Sequence, residues 1–113
     1  MQLSEYQKAA HRTSLETTYG EADVARLIYP TLKLAGEAGE FAEKVGKLLR
    51  DKDGSISDED RDALSGELGD VMWYVAEVAT VLGLDLGEVG RRNIDKLASR
   101  AERGVIQGSG DNR

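Results

Sequence analysis

The sequence predicts an all-α domain, a four-helix bundle-like unit. Three observations carry that expectation. The 113 residues include a single proline. No segment alternates apolar and polar residues as a half-buried strand would. Apolar residues instead recur at three- and four-residue spacings, in stretches separated by charged or Gly-containing turns. The length suits one domain, large enough to bury about two-thirds of the surface of its unfolded chain.

The first helix is expected to start at Ser4, with Gln7 completing a capping box, and to run to residues 13–15. A short helical stretch follows Gly20, at residues 21–27. Pro30 suits the first turn of a long helix that carries residues 32–49. The run RDKDGSISDED is the clearest turn. Ser57 is a good N-cap there, and Asp58, Glu59 and Asp60 favour the positive end of the helix dipole. That helix runs to about Leu82 and stops at Gly83. Asp85 begins the last helix, with Glu88 as its capping-box partner and Leu84 and Val89 as a hydrophobic staple. Gly104 ends it. Residues 1–103 then form the domain and 104–113 a Gly-rich tail.

Composition narrows the function. Hydrophobic residues make up 40% and charged residues 32%, the balance of a soluble globular chain. The net charge of -6 argues against nonspecific nucleic-acid binding through a basic face. No apolar run approaches a membrane span, and the N-terminus lacks the apolar segment of a signal peptide. Cysteine is absent, so there is no disulfide or thiolate site, and a cytoplasmic location is the simplest expectation.

The stretch LAGEAGEFAEK spaces Glu37, Glu40 and Glu43 three apart. At about 100° per residue, Leu34, Ala38, Phe41, Ala42, Val45, Leu48 and Leu49 make one apolar arc. Glu37 sits on its edge, Glu40 further round and Glu43 on the solvated side. On the next long helix, Leu64, Leu68, Val71, Met72, Val75, Val78, Ala79 and Leu82 define an apolar face of about half the circumference, wide enough for a subunit contact. Glu67 falls inside that face and Asp70 flanks it. Residues i and i+3 are neighbours on a helix, so Glu37/Glu40 and Glu67/Asp70 are two acidic claws at the margin of a core.

Gly36, Gly39, Gly66 and Gly69 lie beside those acids. Each costs a helix about 0.5–1 kcal/mol relative to Ala, and close approach of the two backbones is the expected reason. Claws brought face to face would repel by about 3 kcal/mol per pair at ~5 Å and an effective dielectric of ~20. Protonation or a cation relieves that. An all-oxygen cluster with no nearby His favours a hard divalent ion, Mg²⁺ or Mn²⁺.

GEAGEFAEK followed by ELGDVMWY resembles the MazG-like nucleotide pyrophosphohydrolases of the all-α NTP pyrophosphatase superfamily. Their signature is E-x-x-E, a spacer, then E-x-x-D. It falls here on Glu37, Glu40, Glu67 and Asp70, and the likeness extends from Tyr29 to the end of the chain. The resemblance implies a homodimer or homotetramer in which the four acids hold Mg²⁺. It also implies cleavage of a nucleoside triphosphate between the α and β phosphates, giving monophosphate and pyrophosphate. Glu40, on the outer edge of its claw, is the expected general base.

The likeness continues as N-x-x-K-L-x-x-R, placing Asn93, Lys96 and Arg100 on one helix stripe as candidate phosphate contacts, against ordinary surface ion pairs. Lys44 and Lys47 follow the first claw. They contact phosphate or pair with Glu40 and Glu43 at i+4. Trp73 stacks on a base or fills a core or subunit contact, and His11 is expected at the surface. The tail either frays or folds over the nucleotide, with Arg113 adding a charge. Base choice is expected to depend on a pocket shared among the first helix, the segment at residues 28–32 and a neighbouring subunit.

Two other readings remain open. A relative in the same superfamily hydrolyses phosphoribosyl-ATP by the same bond cleavage. A helical oligomerisation module without catalysis would use the wide apolar face alone. A di-iron carboxylate bundle would need Glu-x-x-His pairs, and the single histidine ranks it low.

Overall fold

The computed structural model describes residues 1–113. It has α1 (Leu3–His11), a 3-10 turn (Asp23–Arg26), α2 (Ile28–Lys52), α3 (Asp58–Val81) and α4 (Leu86–Arg103), with no strand. No helix is long and apolar enough to cross a membrane. The α2–α3 hairpin is the largest packing, α1 lies on α3, and α4 rests chiefly on α1.

The helix ends follow capping chemistry. Ser57 caps α3: its hydroxyl accepts from the Asp60 N–H, and the Asp60 carboxylate accepts from the Ser57 N–H. Lys52 donates to both Asp60 oxygens, at 3.0 and 2.9 Å. These bonds hold the Asp60 carboxyl down at about 2, the backbone N–H of Ser57 contributing most. Asp53 ends α2 in the left-handed region, and Gly104 ends α4 likewise.

Two expected caps are corrected. The first helix is capped two residues early, by Gln2 with Glu5 as its box partner, and ends at His11. Gln7 instead ties α1 to the α3–α4 corner: its amide donates to Leu84 O (2.8 Å) and Thr80 Oγ1 (3.1 Å), and its oxygen accepts from Leu86 N (2.7 Å). Asp85 does cap α4, through Gly87 N. Glu88, expected to complete a box, pairs with Arg91 and Arg92, because those guanidiniums lie on its own helix face at i+3 and i+4.

The glycines beside the acids do not mediate close packing within the protomer. A Cβ added at Gly36, Gly39, Gly66 or Gly69 would meet nothing within 4 Å. The close approach is between α1 and α4, where a Cβ at Gly87 would lie 2.6 Å from Ser4 Oγ and one at Gly90 3.2 Å from Leu3 Cδ1.

The buried core is small: Ala10, Ala76, Ala79 and Leu86, with Tyr6 and Trp73 packed against it. Much of the predicted apolar face remains exposed, including Leu49 (69%) and Leu68 (54%). The radius of gyration is 17.1 Å, against about 13 Å for a compact chain of this length.

Candidate metal centre and adjoining cavity

Glu37 comes from the middle of α2, and Glu67 and Asp70 from one turn of α3. Because the two helices pack as a hairpin, one carboxylate oxygen from each of the three lies within 4.8 Å of the others. Glu37 and Glu67 are mostly buried, with side chains 12% and 15% exposed; Asp70 is exposed. Glu40 is exposed and outside this set, on α2 at i+3 from Glu37 and so on a neighbouring part of the helix surface. Desolvation, then the negative charge of Glu40 and Asp70, push the Glu37 carboxyl above its ordinary range.

Only two ammonium groups temper this charge: Lys33 Nζ stands 3.8 Å from Glu37 Oε1 and Lys44 Nζ 3.5 Å from Glu67 Oε1. The second oxygens, Glu37 Oε2 and Glu67 Oε2, are buried without any hydrogen-bond partner. Buried carboxylate oxygens seldom stay unsatisfied. Three convergent hard oxygen donors with two orphaned oxygens fit a divalent cation such as Mg²⁺ or Mn²⁺.

A family model described as the MazG nucleotide pyrophosphohydrolase domain matches residues 30–105. The chain belongs to this MazG family. The match spans both acid pairs and all of α2's claw, the hairpin turn, α3 and α4. The chain is also 55% identical to the Gene 37 protein of Mycobacterium phage L5, over the full length of both. No solved structure matches it.

A cavity of about 180 Å³ lies at the start of α2, walled by residues 13–17 and Arg26 as well as by the helices. Tyr29 and Pro30 line it from α2, Trp73, Tyr74 and Glu77 from α3, and His11 from α1. It thus joins the first helix and the start of α2, the segments expected to shape base choice. Tyr74 links it to the acids. Its phenol is pushed up by burial first, then by Tyr29, Glu37 and Asp70, and Lys33 Nζ lies 6.0 Å from its ring centre. Trp73 meets Tyr74 edge-on, with centroids 4.9 Å apart, and its Nε1 donates to Thr13 Oγ1 at 3.1 Å. Trp73 makes the core contact that was one of its two expected roles, and its ring also lines the cavity.

His11 is not the simple surface residue expected. Its Nδ1 is 3.0 Å from Glu77 Oε1 and its Nε2 2.9 Å from Glu16 Oε1. Both nitrogens donate only in the imidazolium, and the Glu77 hydrogen bond leads the causes that raise its pKa. A His at the C-terminal end of a helix gives no sequence signal for such a bridge, since Glu77 is far along the chain. Lys33 was equally hidden; its only sequence mark is a position one turn before Glu37.

The remaining candidates lie elsewhere in the protomer. Lys47 pairs with Glu43 at 3.1 Å. None of Asn93, Lys96 and Arg100 lines the cavity or belongs to the acidic set. Lys96 and the buried Arg100 both hold Asp111 of the tail, Lys96 at 2.9 Å. Arg113 donates to the carbonyls of Val105, Ile106 and Gly110. The tail is thus folded onto the end of α4, and Arg113 organises the tail's own backbone.

Proposed function

We propose that this chain is a divalent-metal-dependent nucleoside triphosphate pyrophosphohydrolase, releasing a nucleoside monophosphate and pyrophosphate. The observation that carries the reading is the convergence of Glu37, Glu67 and Asp70 across two helices, with two buried oxygens left unsatisfied. A bound Mg²⁺ would polarise the phosphate, activate water and neutralise pyrophosphate as it leaves. Glu37, Glu67 and Asp70 would hold it, with Glu40 completing the set from the solvent side.

The chain's own groups supply the rest. Glu40 is exposed beside Glu37, so its carboxylate is available to accept a proton from an attacking water. Lys33 and Lys44 flank the acids on the α2 side and bring positive charge to meet a polyphosphate. Lys96, Arg100 and Asn93 would contribute only from another subunit or after the tail moves, because Asp111 engages both Lys96 and Arg100 in this arrangement.

A homodimer or homotetramer is part of the proposal. The exposed apolar face of α2 and α3, the open space over four glycines and the extended shape support it. A second copy covering that face would complete the core that one protomer lacks.

The test is a panel of NTPs and dNTPs with Mg²⁺, scoring products. Monophosphate and pyrophosphate in equal amounts is the expected result; orthophosphate as the sole inorganic product overturns α–β cleavage.

A further inference from the structure

The wall of the cavity at the start of α2 carries an unusual group. Glu77 is 5% exposed, one of only two charged side chains buried in the chain. It lies seven residues beyond Asp70, so two turns, or about 10 Å along α3, separate it from the acidic set on nearly the same helix face. That spacing is comparable to the distance from the α phosphate of a nucleotide to the far edge of its base. Between the two ends stand Tyr74, Tyr29 and Trp73, flat surfaces against which a heterocycle can pack.

Glu77 is fixed. His11 donates to its Oε1, and Glu16 holds the other side of the imidazole. Its Oε2 receives no hydrogen bond from the chain. An unpartnered carboxylate oxygen on the cavity wall accepts hydrogen bonds and cannot donate them. It also repels a carbonyl oxygen.

We propose that this cavity seats the base of the substrate and that Glu77 selects bases bearing an exocyclic amino group. The inference rests on the hydrolase reading above. Cytosine and adenine offer an amino donor at the polar edge, and guanine offers an amino group beside a ring N–H. Uracil and thymine offer one ring N–H flanked by two carbonyls, which would confront the carboxylate. The site therefore favours amino-bearing nucleotides over their oxo counterparts. A mismatched base would displace water from that acceptor and leave it without a partner, which costs about 1–3 kcal/mol, or roughly 10- to 100-fold.

Two measurements test this. The first compares kcat/KM for dCTP, dATP and dGTP with that for dUTP and dTTP, in the wild-type chain and in Glu77→Gln. The second titrates the corresponding monophosphates, without metal, against the fluorescence of Trp73, the sole tryptophan. The wild-type chain is expected to favour the amino-bearing group about tenfold or more in both. Glu77→Gln, whose amide can also donate, is expected to bring the two groups within about threefold. Hydrolysis of all five triphosphates at similar kcat/KM by the wild-type chain overturns the pocket assignment and leaves the hydrolase reading standing. So does an unchanged preference in Glu77→Gln. Selective quenching by amino-bearing monophosphates in a chain that releases no pyrophosphate supports the pocket and overturns the hydrolase reading. If Glu77→Gln does not fold, the wild-type comparison alone decides.

Discussion

Lys44 of α2 reaches across the hairpin to Glu67 of α3, Nζ to Oε1 at 3.5 Å. Lys44 is 45% exposed and Glu67 only 15%, so the ammonium sits on the solvent side of a largely buried carboxylate. A divalent cation held by Glu67 would feel that ammonium as a like charge. With the ammonium exposed to water, a water-like dielectric applies and the repulsion is about 1–2 kcal/mol before salt screens it. Lys44→Met should therefore tighten Mn²⁺ binding about two- to tenfold at low salt, with the difference shrinking as salt rises. Calorimetric titration at two ionic strengths checks it.

Glu67→Gln keeps the shape of the side chain and removes a charged ligand. Pyrophosphate release should fall more than about 100-fold, beyond the usual effect of changing an outer-shell group at a metal site. The elution volume of the assembly should not change. A helical module that only oligomerises would show neither metal dependence nor this loss.

Gly87 is required by the contact with Ser4. A Cβ there would sit 2.6 Å from Ser4 Oγ, which is itself held by Asp85 at 2.6 Å. Gly87→Ala must push α1 from α4 or break that bond, at a cost of about 1–3 kcal/mol. Urea unfolding should show the midpoint falling without a change in slope. Gly36→Ala meets open space in the protomer. It should hold or raise the stability of the isolated subunit.

Two titrating groups stabilise the fold in opposite pH windows. The Asp60 carboxyl is depressed to about 2 by Ser57 and Lys52. Its contribution is complete above its unfolded value near 4 and is lost as pH falls toward 2. His11 is raised by Glu77 and Glu16. Its contribution is complete below its unfolded value near 6.5 and is lost as pH rises through the higher folded value. Asp60→Asn should move acid unfolding to higher pH, and His11→Gln should lose stability mainly on the acid side of neutrality. Thermal melts across pH check both.

Most of the helix plan was legible because four of its boundaries carry local chemistry. Ser57, Gly83, Asp85 and Gly104 mark ends by capping and backbone conformation alone. The acids were legible for a similar reason: a three-residue spacing puts two carboxylates on one face whatever else packs. What failed needed distant partners. Gln7 looked like a cap residue, yet its amide satisfies the backbone of a corner nearly eighty residues on. Gly87 carries no mark separating it from Gly36, and only the placement of α1 makes it the tight one. His11 and Glu77 meet across 66 residues, so no local pattern joins them.

The exposed apolar side chains give the assembly its own test. Leu68, 54% exposed on α3, should be covered by a second copy. Leu68→Asp should shift the light-scattering mass to that of a single chain, since an unpaired charge in an apolar interface costs several kcal/mol. An unchanged mass would place the interface elsewhere.

The central claim is that Glu37, Glu67 and Asp70 close around one cation site. Electron paramagnetic resonance of Mn²⁺ titrated into the wild-type chain and into Glu67→Gln tests it without any substrate. The account predicts saturable loss of the free-ion signal with the wild-type chain and weak or no loss with the variant. Equal signal loss from both chains, or none from the wild type, would contradict it.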